Sequence, residues 1–299
     1  MPKIEYVSKR FNARSLLQIE RANEIITEYE TAGFVLTLRQ LYYQFVSREF
    51  VPNSQKSYKA LGSVINDARL AGLIDWEAIE DRTRSLRKRS HWDSPAGVIE
   101  SAAASYGMDL WQDQNQRVEV WIEKDALIGV IERPCTNWDV PYFSCRGYAS
   151  QSEVWRAAQR HVGYDAPVLV IHLGDHDPSG IDMTRDIQER LHILGAEFTK
   201  IHRVALNMDQ VRHFKLPPNP AKATDARFAQ YQAEHGDESW ELDALDPKMI
   251  EQLIEKTVLH FVDLPKWKAC KAQQEKDRSL IQKTSDNWKG VVKFLGDAK

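Results

Sequence analysis

Two aspartates one residue apart, Asp175 and Asp177, follow the apolar run Val168 to Leu173 in the stretch VLVIHLGDHDPSG. In an extended segment, side chains two residues apart point to the same side. Two like charges held that way repel, and a divalent cation relieves the repulsion. Hard carboxylate oxygens on a short loop suit Mg²⁺ or Mn²⁺. A helix N-cap beside a solvated acid would leave the same letters, since one Asp ahead of a helix is expected for capping alone. Glu123 is a third acid of this kind. It ends the alternating run RVEVWI, and Lys124-Asp125 then leads into a helical pattern. Three such acids can share one or two metal ions, although the helix dipole alone also favours an acid in a first turn.

A different chemistry is suggested by RQLYY, Arg39 to Tyr43. Leu38, Leu41, Tyr42 and Phe45 recur at helical spacing and form a buried stripe. Tyr43 falls off that stripe, on the far side with Arg39, its neighbour one turn earlier. A guanidinium there can stabilise phenolate or hold phosphate. An ordinary surface tyrosine packed on an arginine has the same spacing.

The elements that must position these residues differ between the two halves. Val168 to Leu173 is too short for a helix and reads as a buried strand. Thr184, Ile187, Leu191 and Leu194 then recur at helical spacing. Val118 to Ile122 is a second strand, with a helix through Ala126, Leu127 and Val130. Asp139 to Cys145 and Lys200 to Leu206 are further strands, and a helix capped by Ser150 or Ser152 follows Gly147. Strands alternating with helices give a mostly parallel sheet, and its carboxyl ends are where open α/β sheets bind ligands. The fold class expected is therefore α/β.

The first part of the chain reads as helices. One covers 13–32, with Leu16, Ile19, Ala22 and Ile26 on one face. A second runs from the N-cap Thr37 to Ser47, and a third spans 54–71. In the third, Tyr58, Leu61, Ile65 and Ala68 face inward. Lys56, Lys59, Ser63 and Asn66 line the opposite face, the composition a DNA recognition helix presents. Arg82, Arg84, Arg87, Lys88 and Arg89 then cluster ahead of Trp92 and Pro95. Three short helices and a basic extended segment follow the order of a winged helix, and phosphate contacts supply most non-specific DNA affinity. A solvated charged surface would have the same composition.

At 299 residues the chain has room for about two domains. The division expected is a winged-helix-like module over 1–93, a linker helix over 94–116, a metal-binding α/β module over 117–265 and a basic helical extension over 266–299. Net charge is −3, which by itself argues nothing for nucleic acid. Its distribution says more: residues 1–95 carry 15 Lys and Arg against 12 Asp and Glu, the remainder 25 against 31. No apolar run nears the roughly 20 residues that span a bilayer, so no membrane is expected. MPKIEYVSKRFNARS lacks the apolar core of a secretory signal. Cys135, Cys145 and Cys270 form no CxxC pair, which favours a reduced, cytoplasmic protein.

This ordered set resembles the topoisomerase VI A subunit and its relative, the transesterase of meiotic double-strand breaks. RQLYY is similar to that family's Arg-(acid)-(Ile/Leu)-(Tyr/Phe)-Tyr, with Gln40 in place of the usual acid. WIEKDAL and GDHDPSG resemble the Glu and Asp-x-Asp of a Toprim (topoisomerase-primase) fold. Ser54-Gln55 and the Gly147 GYAS stretch also look like family positions. The resemblance spans roughly residues 35–260 and is closest to the small stand-alone members of bacteria and mobile elements. It implies that Tyr43 attacks a DNA phosphate, assisted by Arg39. It also implies that Glu123, Asp175 and Asp177 hold Mg²⁺ or Mn²⁺, and that a homodimer brings Tyr43 of one chain to the metal of the other. Topoisomerase VI needs a separate ATPase subunit, so strand passage by this chain alone is not expected. One alternative is a Toprim endonuclease that hydrolyses DNA with metal-activated water and does not need Tyr43. A second is a non-catalytic protein that binds double-stranded DNA. The common Asp-x-Asp phosphatase motif has Thr or Val after the second Asp, where this chain has Pro178.

Overall fold

The computed structural model describes residues 3–79 and 89–297. Helices α1 (Ala13–Thr31), α2 (Leu38–Ser47) and α3 (Gln55–Leu70) open the chain. Each begins at a polar cap. Asn12 accepts from the Ser15 amide at 2.8 Å and Ser54 from the Ser57 amide at 3.1 Å. The buried stripe of α1 starts at Ile19 and continues through Ala22, Ile25, Ile26 and Tyr29, while Leu16 is exposed. Phe34 to Leu36 forms no strand, only a single bridge from Leu36 to Ile79. Arg82, Arg84, Arg87 and Lys88 lie outside the described residues.

Helix α4 (Pro95–Ser105) leads to the sheet. Strand β1 (Arg117–Ile122) is followed by α5 (Ile128–Trp138), β2 (Tyr142–Ser144), α6 (Gln151–Val162), β3 (Val168–Leu173), α7 (Pro178–Ile193) and β4 (Thr199–Ala205). The sheet order is β2-β1-β3-β4, and all three pairings are parallel. Both faces of the two central strands, β1 and β3, are covered, so these two are buried almost throughout and mostly apolar. Val118, Val120, Ile122, Ile171 and Leu173 face one core, with α5 residues. Trp121, Val168 and Val170 face a second core, with residues of α6 and α7. The register decides the site: Ile122 lies opposite Leu173, so β1 and β3 end level and their acids emerge side by side.

The chain then forms α8 (Met208–Phe214), the short ribbon of β5 (Asn219–Pro220) and β6 (Glu238–Ser239), and α9 (Phe228–His235) between them. A single helical turn at 242–244 precedes α10 (Pro247–Phe261), α11 (Leu264–Asp286) and α12 (Trp288–Asp297). Helix α11 packs back along α4. The Gln274 side-chain oxygen accepts from the Met108 amide at 2.8 Å, and Arg278 donates to the Tyr106 carbonyl at 2.8 Å. Ala244 and Leu216 join the core of the N-terminal helices. Tyr29 donates to Asp246 at 2.6 Å, and Asn53 to the Pro218 carbonyl at 2.9 Å. The segment from 216 to 246 is thus the seam between the two halves. Among the described residues no helix is long and apolar enough to cross a membrane.

Candidate functional site

The acidic loop is tight because two glycines allow it. A Cβ on Gly174 would lie 2.9 Å from Oε2 of Glu123, and one on Gly180 only 2.2 Å from the Asp175 carbonyl oxygen. Within this loop the Asp175 amide donates to Glu123 at 2.8 Å. Asp177 caps α7, accepting from the Gly180 amide at 2.6 Å, so the capping role is real for this acid. Asp175 is engaged at both oxygens: the Leu242 amide donates to Oδ1 at 2.7 Å, and Lys124 Nζ lies 3.0 Å from Oδ2. Arg203, from β4, sews the loop together. It donates to the carbonyls of Gly174 (3.0 Å), Asp175 (2.6 Å), Gly180 (2.9 Å) and Leu206 (3.1 Å).

The charges here are only partly balanced. Burial pushes the Asp175 carboxyl up to about 7, against the pull of Lys124, and the Glu123 charge adds to the rise. Burial also raises Glu123, with Asp177 close enough to contribute. Burial works against the Lys124 ammonium, but Asp175, Asp243 and Glu241 outweigh it and hold the charged form above its usual range. Its Nζ lies 3.0 Å from Glu241 and 2.9 Å from Asp243. Arg203 is lowered to about 10 by burial.

Tyr43 is not on an open face as its spacing predicts. It is only 4% exposed. The α2 stripe reflects contacts with the N-terminal helices alone, whereas the seam covers the opposite side of α2. Ala244 packs into the same cluster, and Asn219 and Glu241 border the phenol. A cleft of about 50 Å³ remains, lined by Arg39, Tyr43, Ser54, Gln55, Asn219 and Glu241 among others. Burial and the Glu241 charge raise the phenol well above the usual tyrosine range, while Asn219, Arg39 and Lys124 pull it back. Tyr42 is core, as expected, and its hydroxyl accepts from the Ser54 amide at 2.8 Å. Gln40 has a structural task. It closes a capping box with Thr37, its side chain accepting from the Thr37 amide at 2.8 Å.

Arg39 pairs with Glu241 at 2.8 Å. A continuous chain of ion pairs therefore runs from Arg39 through Glu241 and Lys124 to Asp175, and it joins the tyrosine cleft to the acidic loop. Lys124, Arg203, Glu241 and Asp243 were not singled out from the sequence. ELDALDP offered one signal, three acids interleaved with two leucines, and Asp243 among them is deeply buried. Lys56 and Lys59 are exposed on α3, whose first residues line the cleft, and Arg89 is exposed as well.

Among the described residues no group of three His, Cys, Asp or Glu side chains is arranged to hold a metal ion. The expected triad is incomplete because Lys124 and the Leu242 amide take both oxygens of Asp175. Glu123 and Asp177 each use one oxygen, and the second accepts no hydrogen bond among the described residues. Glu123 and Asp177 are thus the carboxylates that could still offer an oxygen to a hard cation, and Asp175 could join them only if Lys124 let go. Comparison with protein-family models and with curated proteins finds no match.

Proposed function

We propose that the protein is a metal-dependent DNA-cleaving enzyme that acts by tyrosine transesterification, with a winged-helix-like N-terminal module that grips double-stranded DNA. The observation that carries this reading is the ion-pair chain joining the Tyr43 cleft to the strand-end acids within one chain. In the reaction the Tyr43 oxygen attacks phosphorus and forms a phosphotyrosine. The P–O bond to one deoxyribose breaks, and the released sugar oxygen takes up a proton. The phenol proton leaves to solvent water as the bond to phosphorus forms. A divalent ion at Glu123 and Asp177 would supply charge stabilisation at the phosphate. Lys56, Lys59 and Arg89 are candidate phosphate contacts.

One observation favours the hydrolytic alternative, a Toprim-type endonuclease: Tyr43 is almost wholly buried and its phenol is held neutral. A denaturant-stopped plasmid cleavage assay with Mg²⁺ or Mn²⁺ decides between them, on wild type, Tyr43→Phe and Asp177→Ala. The transesterase reading expects protein covalently attached to DNA ends, lost in both variants. Free ends that survive Tyr43→Phe and vanish in Asp177→Ala replace it with the nuclease. Mixing the two variants tests the homodimer: adduct restored on mixing means Tyr43 works against the acids of a partner chain.

A further inference from the structure

One oxygen of Glu241 is held by two cations from different halves of the molecule. Arg39 Nη1 lies 2.8 Å from Oε2, and Lys124 Nζ lies 3.0 Å from the same atom. The Tyr43 hydroxyl also faces this carboxylate and stabilises its charge. A guanidinium and an ammonium converging on one anionic oxygen, with a phenol beside the same carboxylate, are the donors a phosphodiester oxygen needs beside an attacking tyrosine.

We infer that Glu241 is an internal stand-in for a DNA phosphate. Its carboxylate occupies the Arg39–Lys124 anion site in the DNA-free chain and must swing out for the phosphate to enter. The route out exists, because the Glu241 side chain is 28% exposed and its backbone is extended, just ahead of the 242–244 turn. Lys124 can lose Glu241 without being stranded, since Asp175 and Asp243 still hold it. Arg39 cannot: Glu241 is its one carboxylate partner among the described residues. The vacated site is therefore defined chiefly by Arg39. Glu241 then acts as a gate, excluding weak anions and yielding to a polyanion that brings other contacts. The anion's identity as DNA rests on the proposed function; the anion site itself does not.

The test is titration calorimetry with inorganic phosphate on the full chain, in chelator, for wild type, Glu241→Gln, and Glu241→Gln combined with Arg39→Gln. Glu241→Gln is expected to tighten phosphate binding about tenfold, the weight of one charge-assisted contact no longer contested. The double variant is expected to lose that gain. Asp243→Asn, which removes a Lys124 partner that does not touch Arg39, is expected to gain less than Glu241→Gln. The inference is overturned if Glu241→Gln melts like wild type and binds phosphate no better, or if the gain persists without Arg39. Should Glu241→Gln fail to fold, Glu241→Asp draws the carboxylate back by one methylene and is expected to show a smaller gain, whose absence also overturns the inference. Phosphate gain without any covalent DNA adduct leaves the gate standing and removes the transesterase; adduct without phosphate gain does the reverse.

Discussion

Strand β1 carries Glu119 within it and Glu123 at its end, and the two carboxylates live in opposite circumstances. Glu119 is 2% exposed, yet Arg160 grips both its oxygens at 2.8 and 2.9 Å, and Trp121 donates to it at 3.0 Å. His161 lies 3.1 Å away. Burial would raise Glu119, but Arg160 and His161 outweigh it and hold the group at about 2. Past the strand end, burial raises Glu123 and pushes Asp175 up to about 7. Glu119 and Asp175 are both buried and Glu123 is half-buried; what differs more is how completely the charges are compensated. A carboxylate fully satisfied by its own fold has no vacancy for a ligand, whereas an undercompensated cluster at the ends of the central strands is where a ligand site would be sought.

The comparison breaks most directly at Arg160. Arg160→Ala leaves Glu119 in an apolar core with only Trp121 and His161, and removing one partner of a buried pair costs about 3–5 kcal/mol. The lower end is expected, because Arg160 is itself 37% exposed and water can follow the truncation. Urea unfolding measures this. A loss under about 1 kcal/mol would mean that Glu119 is not held by Arg160, and the contrast with Glu123 would lose its basis.

Stability against pH separates the two regions by sign. Glu119 has a folded pKa below its ordinary 4.5, so its contribution is present above 4.5 and fades as pH falls toward about 2. Asp175 has a folded pKa above its ordinary 3.8, so the folded state binds the proton more tightly. Its contribution is greatest below 3.8 and is lost as pH rises to about 7. Each slope is bounded at about 1.4 kcal/mol per pH unit for one proton. Unfolding midpoints in chelator should therefore lose their decline between pH 4 and 7 in Asp175→Asn and lose their acid limb in Glu119→Gln. The opposite assignment would reverse the reading of both sites.

What the sequence disclosed, and what it concealed, follows the range of the interactions. Strands β1 and β3 and the acids after them were legible, since a buried parallel strand and its stop signal are local. So was the cap Thr37. Strand β2 came out shorter than Asp139 to Cys145 suggests. Asp139 takes a left-handed conformation at the end of α5, and Pro141 has no amide to donate. The burial of Tyr43 was hidden because its cover comes from Asn219 and Glu241, far along the chain. Lys124 stood next to Glu123 in plain view, but its partners Glu241 and Asp243 lie 117 and 119 residues away. Arg203 looked like one more polar residue of an edge strand, and only the fold aims it at three carbonyls of the loop and that of Leu206.

The smallest expected effect is the most discriminating. Glu123→Gln and Glu119→Gln make the same chemical change on the same strand. At Glu119 the change removes a charge that Arg160 needs and is expected to destabilise. At Glu123 it removes a charge that burial and Asp177 oppose, while the amide oxygen can still accept the Asp175 amide. Stability is then expected to hold or to rise by up to about 1 kcal/mol, since an uncompensated buried charge is itself a destabilising term. Cleavage would be lost all the same if Glu123 serves a cation. A variant that folds better and works worse is the signature of a site held under electrostatic strain for its chemistry, whereas a Glu123→Gln that destabilises as Glu119→Gln does would make Glu123 a structural acid like its neighbour.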